Sequence, residues 1–294
     1  MKISVIVFSI SLMISATLNY ILIFGHFGFP AMGVAGAAIA TVTARFAEFT
    51  IISVYLLKFD KILGLRVRHL LRRSEGIARK FMKHSFPVVM NEAFWASAFF
   101  ILMIIIGRMG REFVAANAIA SLMIQFTGMI IFSVASATAV VIGNTIGEGK
   151  YDRARQIGNG MLIISFGIGL LGFMMIQLIR VPFINLYTLS ETSRLYALQL
   201  TNIISVAVIF IAVAVISMMG TMRGGGDTRF VMIADVIFMW LISIPLGAFT
   251  GLVLEWPVWA VYIILRSEDF FKSLTVLWRI PSGKWLKDVT KSTT

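Results

Sequence analysis

The sequence predicts an all-α membrane protein with about eight transmembrane helices, and three observations carry that prediction. Hydrophobic residues make up 59% of the 294-residue chain and charged residues 14%. Soluble domains carry roughly 45–50% and about 25%, so this chain has too little polar surface to cover a water-soluble globule. Eight apolar stretches have spanning length, at 3–25, 33–57, 84–107, 114–142, 157–179, 195–220, 229–250 and 256–278, each close to the ~20 residues that cross a hydrocarbon core of ~30 Å. None of them alternates with a period of two, which disfavours a membrane β-barrel.

The first stretch, "MKISVIVFSISLMISATLNYILIFG", opens like a secretory signal. Its apolar character runs on through Phe24, longer than a signal core, and a second span follows, so it reads as a helix. The third is interrupted by Pro87 and Glu92, and the seventh by Asp235. The eighth is the weakest, because Arg266, Glu268, Asp269 and Lys272 fall inside it. Eight crossings place both termini on one side. The segment 58–83 holds nine Lys/Arg, and with residue 2, 150–155, 223–229 and 279–294 this side collects 19, against four at positions 108, 111, 180 and 194. Basic loops stay in the cytoplasm, so both termini are expected there, in an inner (plasma) membrane. The net charge of +12 is then a topology signal and a contact for anionic lipid, and nucleic-acid binding is not expected. With no cysteine and three scattered histidines, neither disulfides nor a thiolate or histidine metal site is expected.

Two polar loops stand out. "GNTIGEGKYDRAR" (143–155) reads as a helix stop and restart, with Gly147, Glu148 and Gly149 at the turn and Asp152 capping the next helix. "TMRGGGDTRF" (221–230) could cradle a phosphate or turn the chain. It lacks GxxxxGK[ST] and follows no strand, so it reads as a cytoplasmic turn. Gly224 and Gly225 permit the reversal, Asp227 or Thr228 caps the following helix, and Arg223 is expected to pair with Asp227 or bond the loop backbone.

Ionisable side chains inside a span are costly and point to function. Glu92 lies about eight residues past the basic loop, on the order of 12 Å deep. Pro87 can free backbone carbonyls beneath it. A carboxylate with such oxygens suits a sodium ion, and desolvation that raises a carboxyl pKa suits proton exchange. Asn91 is adjacent, and Trp95, three residues on, shares Glu92's helical face and offers an aromatic surface to an organic cation. A hydrogen bond from Glu92 to a neighbouring helix is the alternative. Asp235, about 9 Å deep, either pairs with Arg229 or Arg223 or faces a cavity. Arg45 with Glu48, and Arg266 with Asp269, sit at i and i+3 and read as self-neutralising structural ion pairs.

An internal echo adds an architectural hint. "GFP" (28–30) precedes "TARFAEF", and "EWP" (255–257) precedes "LRSEDFF". Repeats of this kind suggest two similar lobes. "LNYILIFGHFGFPAMGVAGAAIAT" (18–41), "GNTIGEGKYDRAR" and "GTMRGGGDTRF" together resemble motifs of the multidrug and toxin extrusion (MATE) transporters. The resemblance implies antiporters of two six-helix lobes that export organic cations against sodium ions or protons, with no cofactor and no enzymatic activity. Laid on that pattern, 1–57 forms the last two helices of an N-terminal lobe and 58–83 a basic inter-lobe loop. Residues 84–278 form a complete six-helix C-terminal lobe and 279–294 a cytoplasmic tail. It further implies coupling through an acidic residue on the helix that holds Glu92. Four preceding helices are expected from an upstream segment or another chain. A lipid-linked saccharide flippase of the same superfamily remains an alternative, as does a non-transporting subunit or degenerate product.

Overall fold

The computed structural model describes residues 2–58 and 77–287. Every regular element in them is helical. The chain divides into two compact units, Met1–Ala78 and Arg79–Thr294.

The first unit is a helical hairpin of α1 (Lys2–Phe24) and α2 (Gly33–Lys58). The turn between them uses left-handed backbone at Gly25, Phe27 and Gly28. Gly36 brings the two helices close, since a Cβ there would fall 2.6 Å from the Leu22 carbonyl oxygen. Ser11 on α1 donates to the Ala44 carbonyl and to Glu48 on α2. Small-residue contact and a polar cross-link are the usual adhesives between helices in lipid, where apolar surface by itself drives no association.

The second unit begins with α3 (Ile77–Arg108), which starts six residues earlier than the basic loop was expected to end. The remainder of that loop, 59–76, lies outside the described residues, as does the tail after 287. Then come α4 (Arg111–Gly147), α5 (Tyr151–Ile184) and α6 (Glu191–Val215), which continues as a π-helix over Ile216–Met222. Next are α7 (Thr228–Val236), a π-helix Ile237–Ser243, α8 (Ile244–Ala248) and a second π-stretch Phe249–Val253, which together make one span. The last helix is α9 (Val258–Arg279), entered through Pro257, a residue whose fixed φ suits a helix start. At the head of α6, Ser190 caps by accepting from the Ser193 backbone N–H. Asp152, expected as a cap, instead lies inside the first turn of α5, and Lys150 occupies the cap position without a side-chain bond. Its carboxylate there still favours the positive helix end.

Helix α6 is the centre of this unit. It packs against α4, α5 and α9, and 61% of its most apolar window is buried, more than in any other span of the described residues. Glycine lets the neighbours approach: a Cβ on Gly169 would meet the Ile209 Cα at 2.7 Å, and one on Gly220 the Ala135 carbonyl oxygen at 2.9 Å.

Seven helical stretches of the described residues are long and apolar enough to cross a membrane. The eighth expected span exists as α9 but falls short on composition. The reason is where its charges go: Glu268, Asp269 and Lys272 are all buried. They face the interior of the bundle, where an ionisable residue in a span is tolerated when it is paired. The protein is a multi-pass, all-α membrane protein.

Candidate functional site

The ionisable residues of the second unit gather in two places. The deeper one is built around Lys272. Its ammonium donates to Glu268 Oε2 at 3.0 Å, one turn back on the same helix, and lies 2.9 Å from Asp235 Oδ1 on α7. Asn91 on α3 donates its amide to the other oxygen of Asp235 at 3.1 Å. Three segments far apart in sequence therefore meet at one carboxylate. Asn91 is 4% exposed and Lys272 6%, so the cluster is out of solvent, where a charge must be paired to be tolerated. The amide oxygen of Asn91 has no hydrogen-bond partner. Asp269, also buried, adds a third carboxylate from the same helix.

This arrangement corrects two expectations. Of the alternatives for Asp235, pairing with Arg229 or Arg223 is not what the structure shows: Lys272 holds it, and Arg223 is on Glu92. Arg266 does not pair with Asp269: its guanidinium lies over the Tyr262 ring, 5.7 Å from the centroid, one turn back along α9. In the first unit Arg45 and Glu48 form an ion pair of 2.8 Å, with Ser11 donating to the same Glu48 oxygen.

The second place is nearer the Gly-rich loop. Glu92 does not stand free near mid-depth; its carboxylate accepts from Arg223 at 3.1 Å, and its side chain is 53% exposed. Neighbouring residues Asn91 and Glu92 thus face different partners, a partly buried aspartate and a loop arginine. Trp95 turns to Phe99, with ring centroids 6.0 Å apart and stacked. Next to Glu268 lies a small pocket of about 50 Å³, lined by Trp95, Phe99, Asn117, Tyr262, Arg266 and Glu268. Its aromatic faces stand beside one charge of each sign, the Glu268 carboxylate and the Arg266 guanidinium.

The loops serve structure. Arg223 and Asp227 do not pair with each other: Asp227, fully buried, holds Arg279 at 2.8 Å and Lys287. Asp227 caps α7 by position but without a side-chain bond to the helix. In the other loop Gly149 adopts left-handed backbone, φ +77°. There Lys150 donates to Glu148 and holds that carboxyl below its ordinary pKa.

Sequence reasoning passed over Lys272 as the centre of the cluster, treating it as an interruption of the eighth span. The i, i+4 spacing of Glu268 and Lys272 was the available signal. The contact to Asp235 had none.

A bundle with a paired, buried charge cluster and an aromatic pocket defines the class: a helical, multi-pass membrane protein with inward-turned polar groups. A family model described as MatE matches residues 87–249, more than half of the chain. The chain belongs to the MatE family. It is 28% identical over 288 residues to a probable multidrug resistance protein NorM of Bacillus cereus, covering 94% of this chain and 61% of that protein. A protein of the same description from Xylella fastidiosa is 28% identical over 271 residues, covering 91% and 57%. Among solved structures, the crystal structure of MATE in the straight conformation superimposes with a TM-score of 0.80 at 18% identity, covering 95% of this chain and 62% of that one. The chain thus spans about three fifths of the length of these relatives.

Proposed function

We propose that the protein takes part in ion-coupled export of organic cations, including multidrug-type substrates, by alternating access. The observation that carries this reading is the largely buried Asn91–Asp235–Lys272–Glu268 cluster beside the aromatic pocket. A group of carboxylates in a span changes its charge balance when it takes up or releases an ion, and that change can bias one conformation over another. Coupling requires the ion and the substrate to prefer different states. Glu92 keeps a place in the scheme: a carboxylate half-exposed and held, among the described residues, by Arg223 is available to a cationic substrate that competes for it. The membership in MatE and the likeness to NorM proteins support export rather than enzymatic turnover.

The relatives are longer, so transport is assigned to this chain together with further helices, from an upstream segment or from another chain. The bilayer is the inner membrane, with both termini cytoplasmic, on the strength of the basic loops.

The test is ethidium efflux from pump-deficient bacterial cells expressing the open reading frame that contains this chain. Efflux is expected to stop when the ion gradients are collapsed, and Asp235→Asn is expected to slow it at least about tenfold, the scale of one lost charge interaction of ~1.4 kcal/mol. Ethidium retention equal to that of empty-vector cells, in the unaltered protein, would sink the proposal.

A further inference from the structure

Lys272 is placed as a free cation would be placed. Its ammonium sits within 3.0 Å of oxygens from two carboxylates on different helices, and it is buried. The second oxygen of Asp235 is taken by the Asn91 amide. The Asn91 carbonyl oxygen, in a residue 4% exposed, is left with no partner. Two carboxylates and a spare amide oxygen make an oxygen-rich setting of the kind a hard monovalent cation takes. Here the cation is already covalently attached to the chain.

Attachment decides the competition. A tethered group presents itself at a far higher effective concentration than a dissolved ion of the same charge. A sodium ion could enter only by expelling the ammonium, or by sitting beside it, where two like charges a few ångströms apart in a poorly screened interior repel strongly. The other charged groups near Lys272 are Asp269 and Arg266 of its own helix. Helix α6 and its π-continuation, against which α9 packs, bring no charged side chain between Leu195 and Met222. Arg266, the other cation of this helix nearby, lies over the Tyr262 ring.

We infer that Lys272 is a built-in counter-cation that closes the Asp235–Glu268 pair to sodium and so selects the proton as the ion this unit exchanges. A proton needs no coordination shell, only a carboxylate of Asp235, Glu268 or Asp269 that accepts it while the ammonium stays in place. The proton half rests on the ion-coupled reading given above; the exclusion of sodium stands by itself.

The test is a sodium titration of the purified 294-residue chain in lipid nanodiscs, with choline as the control cation, reading both thermal unfolding and bound radioactive sodium. The unaltered chain is expected to bind no sodium and to unfold at the same temperature in either salt. Lys272→Ala removes the ammonium and exposes Asp235, Glu268 and the Asn91 carbonyl oxygen. It is expected to bind about one sodium ion per chain and to be stabilised by it, as a ligand stabilises the state it binds. Lys272→Gln, which keeps a hydrogen-bonding head without the charge, is measured alongside in case the alanine variant does not fold, and folding of either variant in sodium but not in choline is a supporting result. Sodium binding by the unaltered chain overturns the inference, and so does a folded variant that shows no sodium response. Because this assay involves no transport, its failure is distinct from a failure of the efflux experiment.

Discussion

Asp227 is completely buried, and both of its carboxylate oxygens are occupied: Arg279 donates through Nε and Nη2 to one, and Lys287 to the other. The residue lies at a turn, yet its partners come from the end of the last helix and from the segment beyond it. Breaking a fully buried ion pair from one side costs about 3–5 kcal/mol. Lys287 is half exposed and can return to water, so Asp227→Ala is expected to cost less, about 2 kcal/mol. Thermal unfolding of the purified protein measures this, and a midpoint unchanged within error would show that the pairs add nothing. The same residue shows what a sequence can reveal at this scale. Local spacing offers Asp227 or Thr228 as the cap, and Asp227 takes that position without a side-chain bond to the helix. The pairing is not legible, because 52 and 60 residues separate Asp227 from its two partners. Arg45 and Glu48, three residues apart on one helix, are the opposite case. Their contact follows from helix geometry alone.

At the scale of elements, the three glycines of the "GGG" turn do different things. Gly226 takes left-handed backbone, φ +87°, as a turn requires. Gly224 and Gly225 are needed for room: a Cβ on Gly224 would fall 2.8 Å from the Ala139 carbonyl oxygen, and one on Gly225 would fall 2.7 Å from Trp285 Cζ3 and 2.9 Å from the Trp285 carbonyl oxygen. Trp285 is itself fully buried and donates its indole N–H to the Ile280 carbonyl, while the Lys287 backbone N–H bonds the Gly225 carbonyl. The chain after α9 thus folds back onto the Gly-rich loop. Gly225→Ala is expected to destabilise by about 1–3 kcal/mol through overpacking. Combining it with Trp285→Ala, which makes the room, is expected to cost less than the sum of the single changes. Additive losses in unfolding midpoints would mean the two residues do not share a contact. The turn was legible because glycine runs punctuate helices. The docking was not, since it depends on a tryptophan 60 residues away whose partners only the folded bundle brings near. Helix limits were legible to within about six residues elsewhere, α5 running Tyr151–Ile184 where 157–179 was expected, because apolar length is a strong local signal. The main exception was α3, whose first two turns carry Arg79, Lys80 and Lys83 and so looked like loop.

At the scale of the whole molecule, the count of crossings turns on α9. It has 22 residues, a length of about 33 Å at ~1.5 Å per residue, enough to span, and its charges are turned into the bundle. With α9 across the bilayer the two ends of the chain lie on the same side; without it they lie on opposite sides. A fluorescent reporter that folds only in the cytoplasm, fused after residue 294, is therefore expected to fluoresce, and a periplasmic phosphatase at the same point is expected to be inactive. The reverse pattern would place α9 along the membrane rather than through it. The π-helix between Asp235 and Ser243 bears on the same helix. Asp235 meets Lys272, and Ser243 donates to the Leu265 carbonyl at 2.7 Å, so both must look toward α9. Eight residues of regular α-helix would leave them about 80° apart around the axis; the wider turn of Ile237–Ser243 takes up the difference. A relative one residue shorter in this interval would carry the same two side chains seven residues apart, within about 20° of one face on a regular α-helix, and would need no wide turn. The π-stretch is thus how the helix absorbs one extra residue while keeping both side chains on α9, and such a relative is expected to show an unbroken α-helix here with the same two contacts.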